Sequence, residues 1–389
     1  MAILTRDRED GAVVRAAVWT DELTSDDRAA LSPGVPADLP RRPDVLVVGG
    51  GIIGLATALA CRDAGLGSVV VLEREARLAS AASGGNGGSI APDMHARTDP
   101  AEFVAFGRAS LQRYLDLDAR FGALGLRTTR WLQVFPAGGP AGGLDRAAVR
   151  ELEPDLVLPE GGSALLVDDQ RAVNPQRLAA VLSAHAGAVA TGVAMTGVEL
   201  RGDRIAAVRT TVGDFQPGAV VMATALVPPP WSDGVDQRWV KGHMLAFAPG
   251  PWRLGSTVSS DGFGGGNPLP DGTVICGGTF DEGDSSPDLR PEVLAELAAG
   301  LHRLLPAARD ASITHRWCCF RPVVAGRHPV IDRLPGVANG WVSAGHFTTG
   351  VMMAPGTGYA LASWIGSGQR PPGVATFDLP YRSDRGSDA

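Results

Sequence analysis

The sequence predicts an α/β protein with two domains, one of which is assembled from separated segments of the chain. Its 389 residues exceed the length that a single hydrophobic core usually serves. Residues 44–73 have the pattern of a strand, a glycine-rich turn, a helix and a second strand. A similar strand, glycine loop and helix recurs near the C-terminus, which indicates that a second domain is inserted between two parts of the first.

The first of these segments carries a glycine pattern that is typical of dinucleotide-binding turns. An apolar run at 45–48 leads directly into Gly49-x-Gly51-x-x-Gly54, and the next apolar strand ends on Glu73. The first glycine permits a tight turn, the second lets the backbone approach a pyrophosphate, and the third lets the helix pack on the strand. An acid about 20 residues past the glycines can accept hydrogen bonds from a ribose. This context predicts a dinucleotide site, against the simpler interpretation of an ordinary glycine-rich βαβ turn.

Four further stretches have the spacing or the end signals of helices. From 101 to 121, apolar side chains recur at three- and four-residue steps. Pro175 suits the first turn of a helix over 176–185. The stretch 291–304 is amphipathic, and a glycine-rich loop leads into a last helix at 356–364.

Short apolar runs, several of them separated by Gly-Asp turns, predict strands between these helices. They lie at 131–135, 197–200, 205–210, 219–222, 274–276 and 341–344.

The order of these elements leads to predicted domain boundaries. Residues 1–42 are rich in Asp, Arg and Pro and show little periodicity, so we expect an N-terminal arm with Trp19 as an anchor. We predict a nucleotide-binding domain over 43–100, 171–235 and 318–370, a substrate domain over 101–170 and 236–317, and a C-terminal tail over 371–389.

Composition and charge exclude several classes of partner. The net charge of −7 gives no electrostatic reason to expect nucleic acid or an anionic membrane as a partner. The four cysteines lack zinc-type or CxxC spacing, which fits a reducing cytoplasm, and the sequence shows no metal-ligand pattern.

Charges occupy the N-terminus where a signal peptide has an apolar run. The uncharged stretch 45–61 is only about 17 residues long and contains glycine, so we expect no stable membrane insertion. The oligomeric state is left open.

Two later segments indicate which kind of dinucleotide enzyme this is. Trp-Cys-Cys-Phe-Arg-Pro at 317–322 is followed by His-Pro-Val-Ile at 328–331, and a glycine-rich segment spans 345–358. With the glycine pattern, they resemble the glycine oxidase/D-amino acid oxidase family of FAD-dependent amine oxidoreductases, in order from residue 43 to about 366. Ser-Gly-Gly-Asn-Gly-Gly at 83–88 is closer to D-amino acid dehydrogenases. The resemblance implies a Rossmann-like FAD-binding domain with an interleaved α+β substrate domain built on a mostly antiparallel sheet.

The resemblance also implies roles for single residues. The arginine of its Phe-Arg-Pro motif is Arg321, which would bind the substrate carboxylate, as the planar guanidinium suits a bidentate pair. The alternatives are a structural arginine at a strand end and the nearby Arg327, which lies outside the motif. His346 is the second candidate catalytic residue because it lies close to the flavin in the family, although the chemistry needs no histidine base. His243 is expected to begin a strand of the substrate domain.

The cofactor contacts follow from the same resemblance. The Gly-Thr-Gly triplet at 356–358, opening the last helix, would point N–H groups at the flavin N1–C2=O edge, where negative charge builds on reduction. The segment 83–89 would run beside the pyrophosphate and the isoalloxazine ring, where glycines allow close approach. The alternatives are a plain helix start and a flexible loop. The candidate cofactor-binding residues are Gly49, Gly51, Ile52, Ile53, Gly54, Glu73, Arg74, Ser83, Gly85, Asn86, Gly87, Gly88, Gly345, Gly350, Gly356, Thr357 and Gly358.

One cysteine raises the possibility of a covalent flavin. Cys319 precedes Asp332 by 13 residues, a spacing similar to that of the FAD-bonded cysteine in monomeric sarcosine oxidases. Its neighbours match the non-covalent branch, so we expect non-covalent FAD and a buried, inert thiol.

The function implied is FAD-dependent oxidation of the amine of a small α-amino acid: glycine, sarcosine, or a D-amino or imino acid. Hydride would pass to flavin N5, and the imine would hydrolyse to a 2-oxo acid. The acceptor could be dioxygen or a quinone or electron carrier. The alternatives are a dehydrogenase of an opine-like or larger secondary amine, a non-catalytic FAD-binding accessory subunit, and a nicotinamide dehydrogenase.

Overall fold

The computed structural model of the protein describes residues 16–260, 262 and 264–380. Its α-helices are α1 (Ser25–Leu31), α2 (Ile52–Asp63), α3 (Ala82–Gly85), α4 (Ala101–Phe121), α5 (Arg146–Leu152), α6 (Pro175–His185), α7 (Pro291–Leu304) and α8 (Gly350–Ser367). Its strands are β1 (Val45–Val48), β2 (Val69–Glu73), β3 (Ser89–Ile90), β4 (Arg127–Phe135), β5 (Ser163–Ala172), β6 (Ala188–Thr191), β7 (Met195–Arg201), β8 (Arg204–Thr210), β9 (Ala219–Ala225), β10 (Gln237–Phe247), β11 (Ser256–Ser260), β12 (Gly264–Pro268), β13 (Val274–Gly277), β14 (Asp281–Glu282), β15 (Ile313–Val324), β16 (Val330–Arg333) and β17 (Gly340–Ala344).

The first sheet has six strands in the order β16-β17-β9-β1-β2-β6. The central strand β1 pairs in parallel with β2 and β9, and elements cover both faces of the sheet, so all four of its residues are buried. β6 and β17 extend the parallel set, and β16 pairs antiparallel to β17 at one edge. One face shares a core with α2, α4, α6 and α8, and the other packs on the ribbon β7–β8. The predicted strand–turn–helix–strand unit is confirmed.

The second sheet has nine strands in the order β14-β10-β13-β12-β11-β4-β5-β3, and β15 pairs with β10. Its pairs are antiparallel except for β11 with β4. α7 packs on this sheet through its buried leucines. The prediction of a Rossmann-like sheet with an interleaved, mostly antiparallel sheet is therefore confirmed.

The last helix begins earlier than the sequence predicts. We expected a start at 356, just after Pro355, but α8 begins at Gly350 and contains this proline. A proline inside a helix lacks an N–H and leaves a carbonyl unpaired. Here Tyr114 donates its hydroxyl to Val351 O (2.6 Å), and Ser110 donates to Met352 O (2.7 Å). The prediction was wrong because α4 supplies these donors from a distant part of the chain.

The N-terminal arm is packed on the body from residue 16 onward. Trp19 is fully buried, as is Leu31 at the end of α1, and α1 lies against α6. Thr24 and Asp27 form a reciprocal cap at the start of α1. The prediction for residues 1–15 of the arm and 381–389 of the tail lies outside the described residues.

β15 crosses the domain boundary that we predicted at residue 318, because the strand belongs to the second sheet along its whole length. The remaining boundaries stay predictions. Within residues 16–260, 262 and 264–380, no helix is both long enough and apolar enough to cross a membrane.

Candidate active site

A cavity of about 1240 Å³ lies between the two sheets. It begins at the carboxyl ends of β1, β2 and β9 and continues across the face of the second sheet to β15 and the first turn of α8. The carboxyl edge of a parallel sheet is where α/β proteins bind nucleotides, and domain interfaces are a common place for cofactors.

The glycine turn closes one end of this cavity. A side chain at Gly49 would place its Cβ 2.2 Å from Ala223 O, and one at Gly54 would place it 1.9 Å from Gly49 O. Close contacts with these backbone oxygen atoms leave no room for a side chain at either position, so both residues must be glycine. Gly51 lines the cavity at the start of α2 without a side-chain cap, so that helix N-terminus faces the open space. Ile53 lines the cavity as well, whereas Ile52 and Gly54 do not.

Glu73 is held in place at the end of β2. Its carboxylate accepts hydrogen bonds from Gly50 N (2.7 Å) and Glu75 N (2.9 Å). Burial raises the pKa of Glu73 above its ordinary value, while these two backbone donors act in the opposite direction. Glu73 and the more exposed Arg74 both line the cavity, so it extends from the glycine turn to the acid that the sequence analysis selected.

The helix α3 and the turn that follows it form the next part of the wall. Ser83, Asn86, Gly87 and Gly88 line the cavity. Ser83 also accepts a hydrogen bond from Ile52 N (3.1 Å), which ties this segment to α2. Gly85 lies behind them, where an added Cβ would stand 2.7 Å from Cys319 Cβ.

The first turn of α8, and not the Gly-Thr-Gly triplet, faces the cavity. Residues 349–352 line it. Thr349 is the N-cap residue of α8, and its side chain does not cap the helix. Gly356 packs against Ser110, and an added Cβ at Gly358 would stand 2.5 Å from Ala56 O.

The remaining two predicted cofactor contacts also lie elsewhere. Thr357 is fully buried outside the cavity. Gly345, also outside it, has a φ of +65° and donates its N–H to Ala225 O (2.8 Å).

His346 lies in the cavity wall in a pair that the sequence analysis missed. Its Nε2 is 2.8 Å from the Oγ of Ser343, which is buried and also lines the cavity. His346 is 5% exposed, and its Nδ1 has no partner in the described part of the chain. Burial lowers the pKa of His346 to about 3, so the imidazole is neutral at physiological pH. Only the turn between β17 and α8 brings the two side chains together, and a Ser-x-x-His spacing alone is too common to be a signal.

This shifted pKa predicts an acid-dependent loss of stability. The folded protein keeps His346 neutral, whereas the unfolded chain takes up a proton below the ordinary pKa of 6.5. The contribution to stability is therefore present above pH 6.5 and is lost as the pH falls towards 3, by about 1.4 kcal/mol per pH unit. Between pH 7.5 and pH 5, wild type should lose about 2 kcal/mol more unfolding free energy than His346→Asn, measured by urea unfolding. Equal pH dependence in both proteins would show that folding leaves the pKa of His346 unchanged.

Arg321, on β15, also lines the cavity. Its guanidinium crosses Gly242 of β10, where an added Cβ would stand 2.5 Å from Arg321 Nη1. This nitrogen donates to Thr279 O (2.7 Å), and the guanidinium lies 4.7 Å from the ring centre of Phe280. Among the described residues, no carboxylate forms an ion pair with it. Its positive charge is thus directed into the cavity without a counter-charge.

A network of ion pairs and hydrogen bonds around the buried His243 and Lys241 holds the loop that follows Thr279, the partner of this arginine. His243 lies inside β10 rather than at its start, and its backbone N–H donates to Thr279 Oγ1 (2.8 Å). Its ring nitrogen Nδ1 is 3.0 Å from Asp281, a residue that also pairs with Arg290. Neither His243 nor Lys241 lines the cavity, so this network anchors the segment 279–290.

Lys241 is the second anchor of that segment. Its ammonium group is fully buried and lies 2.8 Å from Asp284. The hydrogen bond from Lys241 lowers the pKa of Asp284 to about 2. The sequence carries no local signal for this network, because its members are spread over 50 residues of loop and strand.

Cys319 lies in the cavity wall beside Gly85 and is 2% exposed. Burial raises the pKa of its thiol, with an opposing effect from Arg321, so the thiol is protonated at neutral pH. Arg327, the other arginine considered, is more than half exposed and pairs with Glu282 (3.0 Å).

Comparison with known proteins places the chain in a family. The model of the FAD dependent oxidoreductase (DAO) family matches residues 44–364. A bifunctional ThiO/ThiG protein of Trichormus variabilis is 28% identical over 86% of this chain and 54% of its own length, so the chain spans about half of that relative. A glycine oxidase of Pseudomonas aeruginosa is 28% identical over 84% of this chain and 95% of its own length. A D-amino acid dehydrogenase of Rhodopseudomonas palustris is 29% identical over 55% of this chain and 53% of its own length.

The fold is that of solved members of the family. The crystal structure of a glycine oxidase from Bacillus cereus covers 88% of this chain and 99% of its own, with a TM-score of 0.76 at 20% sequence identity. The family match extends over both sheets and includes the glycine turn, Arg321 and the first turn of α8. The chain belongs to the DAO family of FAD-dependent oxidoreductases.

Proposed function

We propose that this protein oxidises the amine of a small α-amino acid, in the manner of the glycine oxidases that it is similar to. The observation that carries the proposal is the guanidinium of Arg321, which has no carboxylate partner among the described residues and lines the same cavity as the dinucleotide-binding turn. A carboxylate is the anion that best fits this planar donor group. An α-amino acid provides that carboxylate next to the carbon that is oxidised.

The residues present fit FAD as the cofactor. The N-terminus of α2, which faces the cavity at Gly51, suits a pyrophosphate, and Glu73, oriented by two backbone donors, suits a ribose. The uncapped first turn of α8 offers N–H groups and a positive dipole end to the flavin. The buried Nδ1 of His346, which has no partner in the described chain, can accept or donate one further hydrogen bond.

Bound FAD would supply the two-electron oxidant for the Cα–H bond of the substrate. Arg321 would hold the carboxylate and thereby fix which face of Cα meets the flavin. The amine must lose a proton so that its lone pair can assist the departure of hydride. His346 is a weak base for that proton, because burial holds its pKa at about 3. We therefore propose that His346 is a hydrogen-bonding residue and that the substrate amine enters in its neutral form.

We also propose that FAD is bound non-covalently. A covalent bond between Cys319 and a carbon atom of the flavin would require the thiolate form of Cys319 as the nucleophile. Burial raises the pKa of this thiol and so disfavours the thiolate. Denaturing the holoprotein in acid and filtering it should leave all of the yellow colour in the filtrate.

A second candidate is a dehydrogenase that transfers electrons to a quinone or a carrier protein instead of dioxygen. The similarity to D-amino acid dehydrogenases over about half of the chain favours it.

One experiment tests both candidates. The purified yellow protein is mixed anaerobically with glycine, sarcosine, and the D- and L-forms of alanine and proline, and the flavin absorbance is followed. Bleaching by one of these compounds supports amino acid oxidation. Recolouring on admission of air then identifies an oxidase, and recolouring only with a quinone identifies a dehydrogenase. If no compound bleaches a protein that sodium dithionite does bleach, small amino acids are the wrong substrate class.

A further inference from the structure

The turn after α3, residues 85–88, begins at the last residue of that helix. It is held by side chains from three distant parts of the chain. Each of three consecutive carbonyl groups accepts a hydrogen bond from a different side chain. The pairs are Trp317 Nε1 to Gly85 O (2.8 Å), Trp19 Nε1 to Asn86 O (2.7 Å) and Asn267 Nδ2 to Gly87 O (2.9 Å).

This arrangement determines where the backbone N–H groups of the turn point. In a planar trans peptide, the N–H points opposite to the C=O of the preceding residue. The carbonyls of Gly85 and Asn86 point towards indole donors, so the N–H groups of Asn86 and Gly87 point away from those donors. Asn86 and Gly87 line the cavity. The next N–H, that of Gly88, is held by the Asn86 side chain (2.7 Å).

The central donor belongs to a segment that the family model does not match. The match begins at residue 44, whereas Trp19 lies in the N-terminal extension. Trp19 is fully buried in a cluster with Met244 and Trp317. Asn174 fixes its backbone by donating to Trp19 O (2.9 Å), and the same amide group donates to Glu22 (2.9 Å). The extension is therefore built into the wall behind the turn.

We propose that Trp19 is a positioning residue for the cofactor. The N-terminal extension orients the peptide planes of the turn so that the N–H groups of Asn86 and Gly87 donate to bound FAD. This inference rests on the FAD binding of the proposed function and is independent of the substrate. The N-terminal extension would then affect both the affinity for FAD and the absorption spectrum of the bound flavin.

Trp19→Phe tests this directly, because it keeps most of the buried ring and removes the indole donor. Trp341→Phe is a matched control: Trp341 is buried in the first sheet, and its Nε1 has no partner among the described residues. The Kd for FAD is measured on each full-length holoprotein by ultrafiltration and fluorescence of the released flavin. The melting temperature and the visible spectrum of the bound flavin are recorded in parallel.

We expect the Kd of Trp19→Phe to rise about two- to tenfold, which is the effect of losing one ordinary hydrogen bond. We also expect a displaced flavin absorption band, whereas Trp341→Phe should keep both the wild-type Kd and the wild-type spectrum. A merely structural role for Trp19 would lower the melting temperature without moving the spectrum, and that result would overturn the inference. If Trp19→Phe proves too unstable to purify, Trp317→Phe should give the same displaced band, and an unchanged spectrum there would also overturn it. A wild-type protein that binds no FAD would instead contradict the proposed function.

Discussion

Replacing Arg321 with methionine should lower kcat/KM for the amino acid substrate by about 100- to 1000-fold, because a charge-assisted, bidentate pair with the carboxylate is lost. Methionine keeps much of the side-chain volume beside Gly242 and Phe280 and carries no charge. Most of the loss should fall in KM, with a smaller part in kcat because the substrate is also less well oriented. Stopped-flow reduction of the flavin over a range of substrate concentrations separates these two effects.

Arg327→Gln is the matched control for this prediction. Arg327 is a second arginine six residues along the chain, but its guanidinium is more than half exposed and pairs with Glu282. An exposed pair of this kind contributes little, so Arg327→Gln should retain kcat/KM within about threefold of wild type. If both substitutions had the same effect, or if Arg321→Met retained the wild-type KM, the carboxylate would be bound elsewhere. An unchanged Kd for FAD in Arg321→Met would separate loss of substrate binding from loss of the cofactor.

The Gly358→Ala substitution should destabilise the protein by about 1–3 kcal/mol, the usual cost of forcing an extra methyl group into a packed interface. The added Cβ would stand 2.5 Å from Ala56 O, a backbone atom of α2 that has no side-chain freedom to move away. α2 and α8 would have to separate, and both contribute to the core beneath the first sheet. Thermal unfolding of the full-length protein measures the effect.

Gly366→Ala in the same helix is the control. Its Cβ would meet the end of the Leu66 side chain at 3.2 Å, and that end can rotate away. Replacing an exposed helical glycine with alanine should then stabilise α8 by about 0.5–1 kcal/mol. The two substitutions should thus move the melting temperature in opposite directions. A Gly358→Ala protein with an unchanged melting temperature but weakened FAD binding would instead support the role at the flavin that the family resemblance implies for this triplet.

The elements that sequence patterns predicted well are those with strong local signals. The helices at 101–121 and 291–304 match α4 and α7, because their apolar residues recur at helical spacing and few neighbours compete with that preference. The β1–α2–β2 unit was predicted with its glycines, because the turn needs residues without Cβ atoms at fixed positions. The family resemblance was confirmed for the same reason: its motifs combine such local requirements at several points of the chain.

The elements that were missed depend on partners far away in sequence. Pro355 signals a helix start locally, yet it lies within α8 because Tyr114 and Ser110 satisfy the groups that it leaves free. The strands β11 and β12 carry too few apolar residues to be recognised, and hydrogen bonding within the second sheet determines their structure.

The sequence by itself determined the class of fold and the dinucleotide-binding turn, since these rest on residue types at short, fixed spacings. Its resemblance to a family also indicated Arg321, whose role with the substrate stays a proposal. Only the tertiary structure decided which groups face the cavity. It placed the first turn of α8 there instead of the Gly-Thr-Gly triplet, brought Ser343 and His346 together, and laid Trp19 behind the turn after α3. The physical reason is that these properties depend on neighbours that only folding brings into contact. Burial sets the pKa of His346, and hydrogen bonds from distant side chains set the direction of the peptide planes.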